Sequence, residues 1–310
     1  MHEAPSIEAD PRIVRRSVSL SRPGERVIEF LLLAAALSSV GITLGIVGIL
    51  LYESAVFFRS VSLFDFLTDT QWTPLFADAH YGILPLLAGT CTTTAVALAV
   101  ALPTGTLTAL YLSEYAARGV RETVKPFLEL LTSVPTVIFG YFALLVVTPF
   151  LQRLWPDLPG FNMLSAGLVI GVMIVPYITS VAEDALHAVP VHIREGSFAL
   201  GATRMQTALR VVLPSAVSGI GAAYVLAVSR AIGETMVVAI AAGMQPTLTW
   251  NPLEPAATVT AYIVQVSLGD LPHGSVGYQT IFAAGLTLFL LTFLFNVGGY
   301  LLRTRFHRKY

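Results

Sequence analysis

The stretch "SRAIGETM" (residues 229–236) lies inside an apolar run from about Ala216 to Ala242 that carries Arg230, Glu234 and no other charge. The run is long enough to cross a bilayer, whose ~30 Å hydrocarbon core needs about 20 helical residues. A charge near the middle of such a span costs about 2.5–3.5 kcal/mol on insertion scales. Two such costs require pairing, protein cover or water. Positions 230 and 234 are about one helical turn apart, so they would share a helix face and could pair. Arginine before glutamate is the weaker order for that pair, which argues against helix stability as its sole role. Two readings stay open: an ion pair that fixes packing, or a charge presented to a substrate path. Guanidinium suits a tetrahedral oxyanion because its planar fork gives two parallel hydrogen bonds. In that reading Glu234 releases the anion by competing for Arg230. Thr235 and Ser229 offer hydroxyls nearby, unless they bond the backbone.

The rest of the chain agrees with a membrane setting. Of 310 residues, 55% are hydrophobic and 12% charged, against roughly 25% charged in a soluble domain. The mean hydropathy is +0.73. Six runs reach spanning length: 27–52, 83–113, 127–151, 163–182, 216–242 and 281–302. The first is too long for a cleaved signal peptide, and its leader mixes acids with bases. Gly41-x3-Gly45 and Gly167-x3-Gly171 have helix-packing spacing. Pro103, Pro135 and Pro176 fall in spans two to four, where they read as kinks or as breaks lining a path.

Basic residues set the orientation. Arg12, Arg15, Arg16, Arg22 and Arg26 precede the first span. Arg118, Arg121 and Lys125 fall in the second connection; Arg194, Arg204 and Arg210 fall in the fourth. Arg303, Arg305, Arg308 and Lys309 end the chain. The other side holds only Arg59 and Arg153. This alternation puts both termini in the cytoplasm. It also makes 183–215 a long cytoplasmic loop, of a length that often carries function. The outer loops 53–82 and 243–280 carry Trp72, Tyr81 and Trp250 as expected exposed aromatics.

Chemistry of other kinds finds little support. A P-loop needs G-x-x-x-x-G-K-[ST], and neither Lys125 nor Lys309 follows a glycine. The histidines at 2, 80, 187, 192, 273 and 307 lack metal-ligand spacing. Cys91 stands alone and reads as a small packing residue. An enzyme acting by itself is therefore not expected.

The loop segment "REGSFALGATRMQTALRVVLP" (194–214) places Phe198, Met205, Leu209 and Val212 at helical spacing. Gly201 interrupts it and Pro214 closes it. Two short helices with a glycine joint are expected, with one apolar side left for another molecule. Bulk at Gly201 is expected to push the two helices apart. The stretch resembles the coupling loop of ABC-importer permeases, E-A-A-x3-G-x9-I-x-L-P. Glu195, Gly201, Val211, Leu213 and Pro214 take its positions, while Gly196 and Ser197 replace the two alanines. In that family the loop docks into a groove of a cytoplasmic ATPase, so Glu195, Gly201, Leu213 and Pro214 are the implied ATPase-coupling residues.

Four stretches narrow the resemblance to phosphate-specific importers and their PstC-type permease. They are "FLTDTQWTPLF" (66–76) with "YGILPLLAGT" (81–90), "SVPTVIFGYFAL" (133–144), "REGSFALGAT" (194–203) and "SRAIGETMVVAIAAG" (229–243). "TAYIVQVSLGD" (260–270) fits as well. The resemblance implies an all-α integral membrane protein of six transmembrane helices in the type I ABC importer permease fold. Its parts would be a cytoplasmic tail 1–26, a first helix 27–52, a periplasmic loop 53–82, a permease core 83–302 holding the coupling loop 183–215, and a basic tail 303–310. It ties Arg230 and Glu234 to phosphate passage in a bacterial inner membrane. It implies a PstA-like second permease, a PstB-like ATPase dimer holding ATP and magnesium, and a PstS-like periplasmic phosphate-binding protein. No cofactor is implied in this chain. Two other functions stay open on the residues: a permease for another oxyanion such as sulfate or molybdate, and an ion-coupled carrier using Arg230 and Glu234 as a proton relay.

Overall fold

A computed structural model describes residues 23–74, 76–272 and 274–305. Arg12, Arg15, Arg16, Arg22, Arg308 and Lys309, which bear on orientation, lie outside the described residues. The architecture is helical, with one isolated antiparallel bridge between Trp72 and Tyr81. The chain divides into two units, Met1–Ile49 and Leu50–Tyr310. The described part of the first is the start of helix α1 (Pro23–Ser60). Its large apolar side chains, from Val27 and Ile28 to Ile49, are exposed except for the half-buried Val47, as suits a helix meant for lipid. α1 is 38 residues long. It outruns the expected span 27–52 and takes up the first residues of the outer loop.

The second unit begins with the end of α1. Ser62 then caps the short α2 (Leu63–Thr68) by accepting from the Phe64 N–H. α3 (Leu84–Glu114) follows, then α4 (Arg118–Ser133). α5 (Thr136–Phe142) passes through a π-helical stretch, Ala143–Val147, into α6 (Thr148–Leu154). α7 (Met163–His187) leads to the short α8 (Val191–Ala199). α9 (Arg204–Thr207) continues through a π stretch, Ala208–Val212, to α10 (Leu213–Ser215). α11 (Val217–Ile232), α12 (Met236–Ala241), α13 (Val259–Ser267) and α14 (Val276–Arg305) complete the unit.

Among the described residues, five helices are long and apolar enough to span: Gly24–Ser60, Leu84–Glu114, Thr136–Leu154, Met163–His187 and Val276–Leu301. A sixth arises if Arg204–Ser215 and Val217–Ile232, bent by 70°, are taken together. Five of the six expected runs thus have a spanning helix and the remaining one, 216–242, overlaps the bent pair; two corrections follow. The third run begins at Thr136 rather than 127. Pro135 is the N-cap of α5 and its neighbour Val134 is extended, so the apolar residues 127–131 belong to a separate amphipathic helix, α4. The fifth run is not continuous: its helix stops at Ile232 and resumes at Met236. Pro103 and Pro176 sit inside unbroken α3 and α7.

The core forms where α3, α7 and α11 meet, through small and branched residues such as Ala97, Ala101, Ile170, Ile174, Ile178, Ala223 and Ala227. Gly167 and Gly171 make this possible. A Cβ at 167 would lie 2.7 Å from Val96 Cβ, and one at 171 would lie 2.8 Å from the Ala97 carbonyl oxygen. Close approach of backbones is what small residues provide in membranes, where lipid is as apolar as leucine. No such role falls to Gly41 and Gly45, which have nothing within 4 Å.

The outer segment 62–83 is folded rather than loose. Trp72, expected on the surface, is 1% exposed. It packs edge-on against Phe66 and against Tyr262 of α13, at ring distances of 6.2 and 5.0 Å. A cluster including Phe57, Phe66, Tyr81 and Tyr262 removes it from solvent. Trp250 is the aromatic that stays open, at 66%.

Candidate functional site

The break in the fifth span builds the site. After Ile232 the chain runs through Gly233, Glu234 and Thr235 without helical continuation. A break inside a membrane is tolerated when protein satisfies the freed backbone groups. Here Thr260 of α13 donates its hydroxyl to the Glu234 carbonyl at 2.7 Å. Glu234 itself is buried, 3% exposed. Its Oε1 lies 3.4 Å from the Val237 N–H. Arg230 and Glu234 do not share one helix face, because Glu234 lies beyond the helix end.

They nevertheless meet. Arg230 Nη2 is 3.8 Å from Glu234 Oε2. That is a charge contact, too long for a hydrogen bond. The pair is asymmetric: the arginine side chain is 37% exposed and the glutamate 2%. The guanidinium carbon lies 5.7 Å from the centre of the Tyr177 ring, a cation–π arrangement. Arg230 Nε is buried and without a partner. A guanidinium has five donors. Charge and an aromatic face hold this one, and its side chain is 37% exposed.

Two other expected pathway groups are turned elsewhere. The Ser229 hydroxyl accepts from Asn296 Nδ2 of α14 at 3.0 Å. The Thr235 hydroxyl donates to the Gly233 carbonyl at 3.2 Å. Tyr177 and Thr260 were not foreseen. Both lie in apolar surroundings in the sequence, and no local pattern marks them.

The coupling segment matches the expected pair of short helices. Gly201 joins them with φ of +82°, in the left-handed region that favours glycine. No atom lies within 4 Å of where its Cβ would be, so bulk there would meet open space and would not force α8 and α9 apart. Glu195 is exposed on α8. Leu213 and Pro214 form α10, ahead of the bend into α11. Phe198, Leu200 and Met205 are exposed by 46%, 91% and 62%, giving the free apolar side. Val212, expected with them, is buried instead. Arg194 anchors the segment. Its guanidinium donates to the carbonyls of Val189 and Leu186 and, at 2.9 Å, to Glu114 Oε1 at the end of α3. Inside the segment, the hydroxyls of Ser197 and Thr207 bond at 2.9 Å.

A bundle of spanning helices with an exposed two-helix coupling segment and a charged break in one span defines a permease of the ABC-importer class. A family model for the binding-protein-dependent transport system inner membrane component matches residues 101–309, and the chain belongs to that family. Its relatives include the probable ABC transporter permease YqgH of Bacillus subtilis, 35% identical over 86% of this chain and 84% of that one. The phosphate transport system permease PstC of Mesorhizobium japonicum is 33% identical over 84% of each. Among solved structures, a bacterial importer of the acidic polysaccharide alginate aligns with TM-score 0.63 at 19% identity, covering 90% of this chain and 97% of its own. The MetNI methionine transporter aligns with TM-score 0.55 at 22% identity, covering 73% and 95%. These two likenesses show the type I permease fold. The chain is a multi-pass inner-membrane transport subunit that works with an ATPase and a solute-binding protein.

Proposed function

We propose that this chain is the PstC-like subunit of an importer for inorganic phosphate. The observation that carries the reading is the Arg230 guanidinium. It is partly open, its Nε is unpartnered, and a buried glutamate stands 3.8 Å away as its resident counter-ion. A bare arginine would hold phosphate too tightly for transport. A carboxylate at that distance competes for the same charge and lets the anion leave. The named phosphate permeases among the relatives support the choice of anion. The pathway is shared with a PstA-like permease. A PstB-like ATPase dimer carries ATP and magnesium and docks on Glu195, Gly201, Leu213 and Pro214, and a PstS-like protein delivers phosphate. Both termini lie in the cytoplasm, as the basic residues direct.

The test is uptake by the reconstituted complex. Phosphate should enter on addition of ATP, should persist after the proton gradient is collapsed, and should not be displaced by equimolar sulfate. Uptake that follows the gradient, or that prefers sulfate or molybdate, would contradict the reading.

A further inference from the structure

Glu183 on α7 is wholly buried, and the pathway reading above does not use it. Two cations from successive turns of α4 converge on it. Arg121 Nε lies 2.5 Å from one carboxylate oxygen and Lys125 Nζ lies 3.3 Å from the other. Neither oxygen has an aligned hydrogen bond, so the grip is ionic. The helix that supplies the cations is itself unusual. α4 has no buried residue. Its charges meet α7, while Phe127 and Leu130 stay exposed.

Beside this cluster α4 and α7 enclose a cavity of about 210 Å³. Lys125, Thr132, Tyr177, Ser180 and Glu183 are among its walls. At ~30 Å³ per water, it has room for an anion the size of a few waters. Tyr177 connects it to the site already described, since the same ring lies under the Arg230 guanidinium. Lys125 also borders an outer groove of about 430 Å³ with Arg118 and Arg121. Arg230, Tyr177, Lys125 and Arg121 thus border successive parts of one route, with Glu122 and Glu129 also on the groove.

The charge arrangement repeats that at Arg230. The glutamate side chain is closed, 1% exposed for Glu183, and the cations are half-open, 30% for Arg121 and 33% for Lys125. Asp184 stands 3.6 Å from Lys125 but is 69% exposed. Glu129, at the cavity wall, is also exposed. Exposure to water weakens the hold of both on Lys125. Lys125 is thus shared between Glu183 and Asp184, Arg121 is held by Glu183, and the fully buried member of the group is the Glu183 carboxylate.

We propose that the α4–α7 cleft is a second station for the oxyanion, held by Lys125 and Arg121 and released when Glu183 takes them back. The route rests on the proposed role of Arg230; binding at the cleft does not. Several weak sites in series are what passage requires, since an ion must leave as readily as it enters.

The experiment uses the assembled importer in inside-out vesicles, with Cys91→Ser as background and Ser180→Cys as a probe in the cavity wall. Thr132→Cys serves as a second probe on the α4 side. Inorganic phosphate added at the cytoplasmic face should slow labelling by a charged thiol reagent roughly tenfold, the scale of one charge-assisted contact. Chloride at equal ionic strength should not. Lys125→Gln should abolish the protection, and Glu183→Gln should strengthen it by removing the competitor. No slowing at either probe, or protection that survives Lys125→Gln, would overturn the station. In an Arg230→Gln complex the protection should persist, because phosphate enters from the cytoplasmic side. Lost uptake with retained protection supports the station and leaves Arg230 to answer for the uptake; intact uptake with absent protection overturns the station alone.

Discussion

Arg230 and Glu234 are unequal partners, and the inequality carries their chemistry. The glutamate is closed in and the arginine is reachable, so in the proposed role an incoming anion would meet the cation first. Lysine at 230 would keep the charge and lose the fork. Phosphate uptake by Arg230→Lys should fall about tenfold, the factor that one lost hydrogen bond to a charged group supplies. Arg230→Gln should transport less still and should accumulate less well, because it strands a buried carboxylate. Initial rates normalised to membrane abundance decide; unchanged rates for the lysine variant would show that charge alone suffices. Gly201 poses a different question. Alanine there bears the left-handed backbone at a cost of about 1–2 kcal/mol, and open space surrounds it. Gly201→Ala should therefore keep most uptake, while Gly201→Trp, intruding on the proposed ATPase-docking surface, should lose uptake and substrate-stimulated ATP hydrolysis. Equal behaviour of the two would remove Gly201 from the docking surface.

At the scale of elements, Arg194 ties α8 to the ends of α3 and α7, so a movement of α8 would be passed to two spans at once. Arg194→Ala should lower phosphate transported per ATP hydrolysed while the complex still assembles. A proportional fall in both would mark a merely structural cap. His80 Nδ1 holds Asp69 Oδ2 at 2.8 Å and closes segment 69–82. The hydrogen bond to Asp69 lifts the His80 pKa above its ordinary 6.5, against a smaller opposing effect of burial. Burial pushes Asp69 up, but the bond from His80, the N–H groups of Gln71 and Thr70 and the charge of His80 together hold the carboxyl below its ordinary 3.8. The raised histidine stabilises the clasp fully below 6.5 and loses that effect as pH rises through its lifted value. The depressed aspartate stabilises it above 3.8 and loses that effect as pH falls through its lowered value. The clasp should be tightest between. Amide exchange at Gly82 and Thr73, corrected for intrinsic rates, should be slower at about pH 5.5 than at about pH 8.5; equal protection would show that the aromatic cluster alone holds the segment.

These elements also show what the sequence discloses. Span number and the two coupling helices are local properties, written in hydropathy and spacing, and both are legible. The break after Ile232 is not. Glycine is common in membrane helices, and the hydroxyl that satisfies the broken backbone comes from Thr260, distant in the chain. Residues 127–131 extend an apolar run and so conceal that α4 is a separate helix whose charged side faces Glu183. Burial of Trp72 depends on Tyr262, a contact that no local pattern announces. Arg230 and Glu234 were legible because charge in an apolar span is costly; Tyr177 beneath the guanidinium was not, because a tyrosine in such a span is ordinary.

For the whole molecule, the exposed apolar faces of α1, α5–α6 and α14 and the exposed side of the coupling segment are surfaces for lipid and for other subunits. The chain should purify in stoichiometric company with an ATPase and a second permease; isolation alone from gently solubilised membranes would contradict the shared pathway. The most direct test of that pathway is phosphate uptake by the double variant Arg230→Gln, Glu234→Gln, measured in the complete importer at normal membrane abundance. Removing both charges relieves the stranded carboxylate, so the variant should insert and assemble. If Arg230 meets the anion, uptake should remain lost despite normal assembly; near-normal uptake would show that the pair serves only packing and would contradict the assignment.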